Sequence, residues 1–207
     1  MGNSVGAAWR GTPVQPIETA FTSLALGLLV DKIAGRRPCR VLELGPAFGA
    51  NVEFLSQFSS KICIEDLYQT LASFDPSFNG DQSTFCPVYE ALLPYHEDTR
   101  FDVILMWDLL DYLDGHNIRR LMRHLRRFCH RGTLLYALVS TRPNIPATPT
   151  RFRILGKDKL LYQTTTTEER PCPRYRQGTL LELLRSFRVE RSYLLRNGVQ
   201  EYLFEFV

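Results

Sequence analysis

Two short stretches carry residue types whose spacing could do chemistry. Glu43, Gly45, Pro46, Ala47 and Gly49 stand together where the apolar run Val41-Leu42 ends. Glu65 and Asp66 close a second apolar run, Ile62-Cys63-Ile64. Glycine at a strand-to-helix turn lets the backbone pass close to a ligand, because a Cβ would collide there. Ala47 still fits a tight approach, and Pro46 stiffens the turn but has no N–H to donate. A carboxylate at the tip of the next strand can accept hydrogen bonds from two ribose hydroxyls, and such charge-assisted bonds are the stronger kind. Strand, glycine turn, helix, strand, acid is the layout of a nucleotide-type pocket at the end of a parallel sheet. Side chains alternate along a strand, so only one of Glu65 and Asp66 is expected to face that pocket.

A third stretch follows the run Phe101-Asp102-Val103-Ile104-Leu105-Met106-Trp107. Asp108, Asp111, Tyr112 and His116 come after it, at the expected mouth of the pocket. Asp108 or His116 could take a proton from a reacting group, whereas Asp111 and Asp114 equally suit the cap of a following helix. Trp107 could wall the pocket or pack the core. No metal is expected: the five cysteines are odd in number and none is spaced C-x-x-C. Their pattern also argues against a disulfide framework and for a reducing, cytoplasmic setting.

The elements that must position these residues are legible from periodicity. With 207 residues, 44% of them hydrophobic, the chain can bury one substantial core. Residues 1–16 read as an N-terminal arm and 17–207 as one domain with an insertion at 140–177. Apolar residues at three- and four-residue steps predict a helix over 17–34. Strands are expected at 40–44, 61–64, 84–88, 101–107 and 133–139, with a helix over 116–131. Alternation of strand and helix predicts a parallel sheet covered on both faces. Arg196-Asn197-Gly198 between two strand-like runs, 187–195 and 199–207, is a hairpin signal. The proline-punctuated insertion, with a small hairpin around Gly156-Lys157-Asp158-Lys159, is a candidate lid or binding loop.

With these elements in place, the chain resembles the class I S-adenosylmethionine-dependent methyltransferases from about residue 17 onward. Glu43-x-Gly45-x-x-x-Gly49 is similar to the family's glycine-rich first motif, with Ala47 in place of its middle glycine. Asp66, seventeen positions after Gly49, stands where the family places its ribose-binding acid. The run 101–108 resembles the fourth-strand segment, and the closing hairpin is typical of the fold. The third motif is indistinct, with Tyr89 and Glu90 near its place. The resemblance implies a doubly wound α/β fold with a mainly parallel seven-stranded sheet and a C-terminal antiparallel hairpin, the Rossmann-like methyltransferase fold. It implies S-adenosyl-L-methionine as cofactor, held by Glu43, Gly45, Pro46, Ala47, Gly49, Glu65, Asp66 and Trp107, with Asp108 and His116 as candidate catalytic residues.

The expected function is methyl transfer to a small-molecule acceptor. Two other readings stay open: a non-catalytic S-adenosylmethionine-binding scaffold, and an RNA methyltransferase using the arginines at 119, 120, 123, 126, 127 and 131. A net charge of only +3 and the absence of interleaved aromatics make that helix a solvated face before a nucleic-acid surface. A nicotinamide site is disfavoured because positions 47 and 50 are alanines where its glycine pattern needs Gly. The longest apolar-rich stretch, 24–30, is too short to span a bilayer, so no membrane partner is expected. Oligomeric state is not encoded in any of these features.

Overall fold

The computed structural model describes residues 17–35, 38–74 and 88–207. The chain runs through β1 (Ile17–Thr22), α1 (Leu24–Ile33), β2 (Cys39–Glu43), α2 (Gly49–Ser56), β3 (Ser59–Ile64), α3 (Leu67–Phe74) and α4 (Val88–Leu92). It continues with β4 (Phe101–Trp107), a 3-10 turn (Leu109–Tyr112), α5 (Gly115–Leu125), a second 3-10 turn (Arg126–Phe128) and β5 (Cys129–Ser140). The last part holds β6 (Asn144–Pro146), β7 (Arg151–Gly156), β8 (Lys159–Thr164), β9 (Glu169–Pro171), α6 (Gln177–Leu183), β10 (Phe187–Leu194) and β11 (Val199–Phe206).

The main sheet has the order β10-β11-β5-β4-β2-β3. Strands β3, β2, β4 and β5 are parallel, and β11 runs antiparallel to both of its neighbours. The continuous apolar composition of β4 follows from burial on both faces. Val103 and Leu105 point to one side, where they join Val41, Tyr136, Leu26 and Leu29 of α1, and Leu55 of α2. Ile104 and Met106 point to the other, against Leu121 and Leu125 of α5 and Leu180 of α6. Helix α5 starts where the Asp114 carboxylate accepts the Asn117 N–H at 2.7 Å, and its Ile118, Leu121, Met122 and Leu125 form the buried stripe.

Two smaller sheets come from the insertion. β7 and β8 form the expected hairpin, and β1 adds to its β8 edge in the order β1-β8-β7. β6 pairs antiparallel with β9.

Four expectations need correction. Residues 17–34 are not one helix: Ile17–Thr22 is a strand, because Ser23 interrupts the run, its Oγ accepting the Leu26 N–H at 3.2 Å to cap α1. The Thr- and Phe-bearing segment before the cap then pairs with β8, where β propensity outweighs a helical period. The helix predicted over 116–131 ends at Leu125, and residues 129–131 already belong to β5. The strand expected at 84–88 falls mostly outside the described residues, and Val88 opens α4. Consequently the main sheet has six strands among the described residues, where seven were expected.

Candidate active site

Glu43 ends β2 and is fully buried. Its Oε1 accepts the Asn51 amide N–H at 2.9 Å and the Trp107 indole N–H at 3.3 Å. Its Oε2 has no partner among the described residues. Burial pushes the carboxyl up from 4.5 to about 7, against the opposing pull of those two donors.

Asn51 sits in the first turn of α2 with no exposed surface. Besides donating to Glu43, its Nδ2 donates to the Phe152 carbonyl at 3.0 Å, and its Oδ1 accepts the Ile154 N–H at 2.8 Å. One side-chain amide therefore clasps β7 as a neighbouring strand would and ties the insertion to the end of β2.

Trp107 closes β4 at φ +50°, a left-handed conformation that a bulky residue rarely adopts. Its ring lies flat on Phe152, with centroids 5.4 Å apart and planes 9° apart, and presents an edge to Tyr136 at 5.8 Å. A Cβ on Gly45 would lie 2.7 Å from the Trp107 Cδ1. The glycine at 45 is thus required by the indole of the chain itself. Gly49 differs: a Cβ there would meet nothing within 4 Å, and Ala47 and Gly49 are both exposed. Pro46, between Gly45 and Ala47, is half-buried.

Parallel register sets the two acids beside the glycine turn. Glu43 pairs with Ile64, so Gly45 and Asp66 each stand two residues past a matched pair. Glu65 donates its N–H to the Glu43 carbonyl at 2.8 Å, and its Oε1 accepts the Tyr95 hydroxyl at 3.0 Å. Asp66 is half-buried and its Oδ1 accepts the Gln69 N–H at 3.1 Å at the start of α3. The two carboxylates therefore diverge.

Beyond β4 lies a cavity of about 380 Å³, within the size range of small-molecule sites. Asp108 and Asp111 line it, with Phe21 of β1, Tyr112, Phe152 of β7 and Tyr162 of β8 among its walls. Asp108 Oδ2 accepts the Thr150 N–H at 3.1 Å, and Asp111 Oδ2 accepts the Ser140 N–H at 2.9 Å. Burial raises Asp108 from 3.8 to about 7. Burial, with the neighbouring Asp108 charge second, raises Asp111 from 3.8 to about 8. The Tyr112 hydroxyl lies 3.1 Å from the carbonyls of both Pro146 and Thr148, which holds the insertion over the cavity.

The structure therefore brings Glu43, Gly45 and Trp107 into contact, sets Asp66 beside them by register, and puts Asp108 in the adjoining cavity. His116, in the first turn of α5, does not line that cavity. Sequence reading missed Asn51, Thr150 and Phe152. Phe152 and Thr150 meet the site only through the insertion, and an asparagine in the first turn of a helix carries no sequence mark of a clasp.

A family model described as a methyltransferase domain matches residues 19–187. The chain belongs to this family. Methyl transfer is accordingly the activity class of the fold described above. No curated protein matches the chain by sequence. Among solved structures, the chain is similar to a protein of Pyrococcus horikoshii OT3, with 14% identity, 88% of each chain covered and a TM-score of 0.50. It is also similar to the 1,6-didemethyltoxoflavin-N1-methyltransferase of Burkholderia thailandensis, solved with 1,6-didemethyltoxoflavin and S-adenosylhomocysteine. There the identity is 18%, the coverage 88% of this chain and 76% of that one, and the TM-score 0.50. An S-adenosylmethionine-dependent methyltransferase of Clostridium acetobutylicum ATCC 824 shares 9% identity over 88% of this chain and 90% of its own, with a TM-score of 0.50. At these identities the likeness is one of fold. No helix among the described residues is long and apolar enough to cross a membrane.

Proposed function

We propose that this chain transfers a methyl group from S-adenosyl-L-methionine to a small organic acceptor held in the cavity beyond β4. The observation that carries this reading is the adjacency of two features at the same edge of the sheet. One is the glycine turn, open at Gly49, with Asp66 beside Gly45 by strand register. The other is the cavity lined by Asp108, the residue after Trp107.

The residues present fit the donor at its ribose end. Asp66 has carboxylate capacity beyond the single bond to Gln69, Ala47 is exposed, and a Cβ on Gly49 would meet nothing within 4 Å. Glu65 contributes less, because Tyr95 engages it. Pro46 shapes the turn. At the other end Glu43 acts through its neighbours, holding the Trp107 indole and Asn51. The Trp107 ring packs against Gly45 and stacks on Phe152, which lines the cavity. When bound, the donor supplies an electrophilic methyl carbon on a positively charged sulfur. The protein's part is to orient the acceptor, exclude water and take up a proton. Asp108 is the group placed to accept that proton; His116, away from the cavity, is not.

Isothermal titration with S-adenosylmethionine and S-adenosylhomocysteine tests the donor site. Both should give heat, and Asp66→Ala should weaken binding roughly 10- to 100-fold, as expected for loss of a charge-assisted bond. Absence of heat with either ligand would remove the basis for methyl transfer. A second reading, a donor-binding protein without turnover, is favoured by the Trp107–Phe152 stack, which fills the space against Gly45. Under that reading S-adenosylhomocysteine binds, yet no labelled methyl group leaves the donor with any acceptor offered. The RNA reading receives no support from the cavity, since none of the α5 arginines lines it.

A further inference from the structure

We propose that the acceptor is an amine, bound as an organic ammonium ion with its nitrogen at the Asp108–Asp111 pair. This rests on the methyl-transfer reading above and names the class of molecule that the same cavity selects.

The lining of the cavity is acidic and aromatic. Asp108 and Asp111 lie at its inner end, Glu168 and Glu169 are exposed at its mouth, and Arg142 is the one cationic residue among those lining it. A second guanidinium, Arg170, lies 5.9 Å from the Tyr112 ring centre and is not among the residues that line the cavity. Rings of Phe21, Tyr112, Phe152 and Tyr162 surround the remaining space. Carboxylates at one end and aromatic faces around the sides suit an organic cation, which gains from both ion pairing and the ring quadrupoles. A carboxylate, phosphate or phenolate ligand would instead meet like charge at both ends.

Asp111 adds an independent observation. It is only 3% exposed, and while Oδ2 is engaged by Ser140, Oδ1 has no partner among the described residues. Buried polar atoms are nearly always paired, so an unpartnered carboxyl oxygen on a residue that lines the cavity marks a carboxylate in need of a donor. An ammonium offers several N–H donors and can satisfy Asp108 and Asp111 together. Both aspartates line the cavity, and Asp108 is half-buried where Asp111 is buried, so Asp108 is the nearer of the two to a ligand.

The same pair serves the chemistry that an amine requires. An ammonium nitrogen has no free lone pair. One N–H proton passes to the Asp108 carboxylate, the freed lone pair forms the new nitrogen–carbon bond, and the electron pair of the broken carbon–sulfur bond leaves with sulfur. Burial raises both carboxyls, which makes their ionised form a stronger base, and an ammonium held beside the pair favours that ionised form. A neutral alcohol would leave the acidic end without a counter-charge.

The test uses three probes of one shape at pH 7.5: 2-phenylethylamine, 2-phenylethanol and 3-phenylpropionate. Binding to the full chain is read by ligand-observed NMR and calorimetry, with S-adenosylhomocysteine titrated separately. The amine should bind at least tenfold tighter than the alcohol, and the carboxylate should not compete. Asp108→Asn and Asp111→Asn keep an acceptor for the Thr150 and Ser140 N–H groups, so both should fold, as circular dichroism would check. Each should weaken the amine tenfold or more and leave the alcohol within twofold. Failure of the amine to bind, equal binding of alcohol and amine, preference for the carboxylate, or insensitivity of both variants overturns the inference. Heat with S-adenosylhomocysteine but none with the amine would sink the amine assignment and leave methyl transfer standing; no heat with S-adenosylhomocysteine would sink methyl transfer itself.

Discussion

Replacing Glu43 with glutamine should change how stability depends on pH. Burial raises the Glu43 carboxyl from 4.5 to about 7. Below pH 4.5 both folded and unfolded chains hold the proton, and the site contributes no pH dependence. Above it the unfolded chain releases the proton while the folded chain keeps it, so unfolding gains about 1.4 kcal/mol for each pH unit. The effect levels off once the folded carboxyl also ionises, near pH 7. The total over that window is about 3 kcal/mol, lost from the folded state as pH rises. Glu43→Gln does not titrate, and its Oε1 can still accept from Asn51 and Trp107. Its stability relative to the unchanged chain should therefore grow by about 3 kcal/mol between pH 4.5 and 7.5. Urea unfolding of the two chains in parallel at pH 4.5, 6.0 and 7.5 measures the difference. Contributions from Asp108 and Asp111, common to both chains, cancel in it. Thermal midpoints should separate by roughly 6–12 °C at the upper pH for a chain of this size. A difference that stays flat within about 0.5 kcal/mol across the range would show that Glu43 is charged in the folded protein and that burial does not govern it.

Other outcomes follow from the same geometry. Asn51→Ala leaves the Phe152 carbonyl and the Ile154 N–H without their partner, and should cost about 3–5 kcal/mol in urea unfolding with loss of amide-exchange protection at Ile154. Gly45→Ala brings a methyl 2.7 Å from the Trp107 Cδ1 and should cost about 1–3 kcal/mol with a shift of the tryptophan fluorescence. Tyr112→Phe removes the hydroxyl between the Pro146 and Thr148 carbonyls and should raise proteolytic nicking of the insertion while lowering stability by about 1 kcal/mol. Asp111→Asn abolishes a carboxyl raised to about 8, so its advantage over the unchanged chain in urea unfolding should increase as pH rises from 4 to 8.

Much of the frame was legible in local sequence. The glycine turn after Val41-Leu42 reads directly because few residue types permit that path. The hairpin at Asn197-Gly198 does so too, with Gly198 at φ +76° as a tight turn of this kind demands. The stripe on α5 is strong enough to fix that helix, though not its end, since the turn at Arg126–Phe128 keeps the same apolar spacing. The strand nature of Ile17–Thr22 was hidden because it depends on a partner, β8, that lies far along the chain. The cavity was hidden for a related reason: Phe21, Asp108, Tyr162 and Asn197 meet there from four separate segments, and no spacing rule joins them. Gly45 was read as making room for a ligand, and the structure gives that room to Trp107, whose left-handed backbone no sequence pattern announced.

The pairing of β1 with β8 has a consequence for biosynthesis. Phe21 is matched to Leu160, so the first strand leaves the ribosome about 140 residues before its mate. At roughly 5–20 residues per second this interval lasts on the order of ten seconds, during which a β-prone segment waits without a template. Slowing translation should therefore lengthen the interval over which a general chaperone can engage this segment.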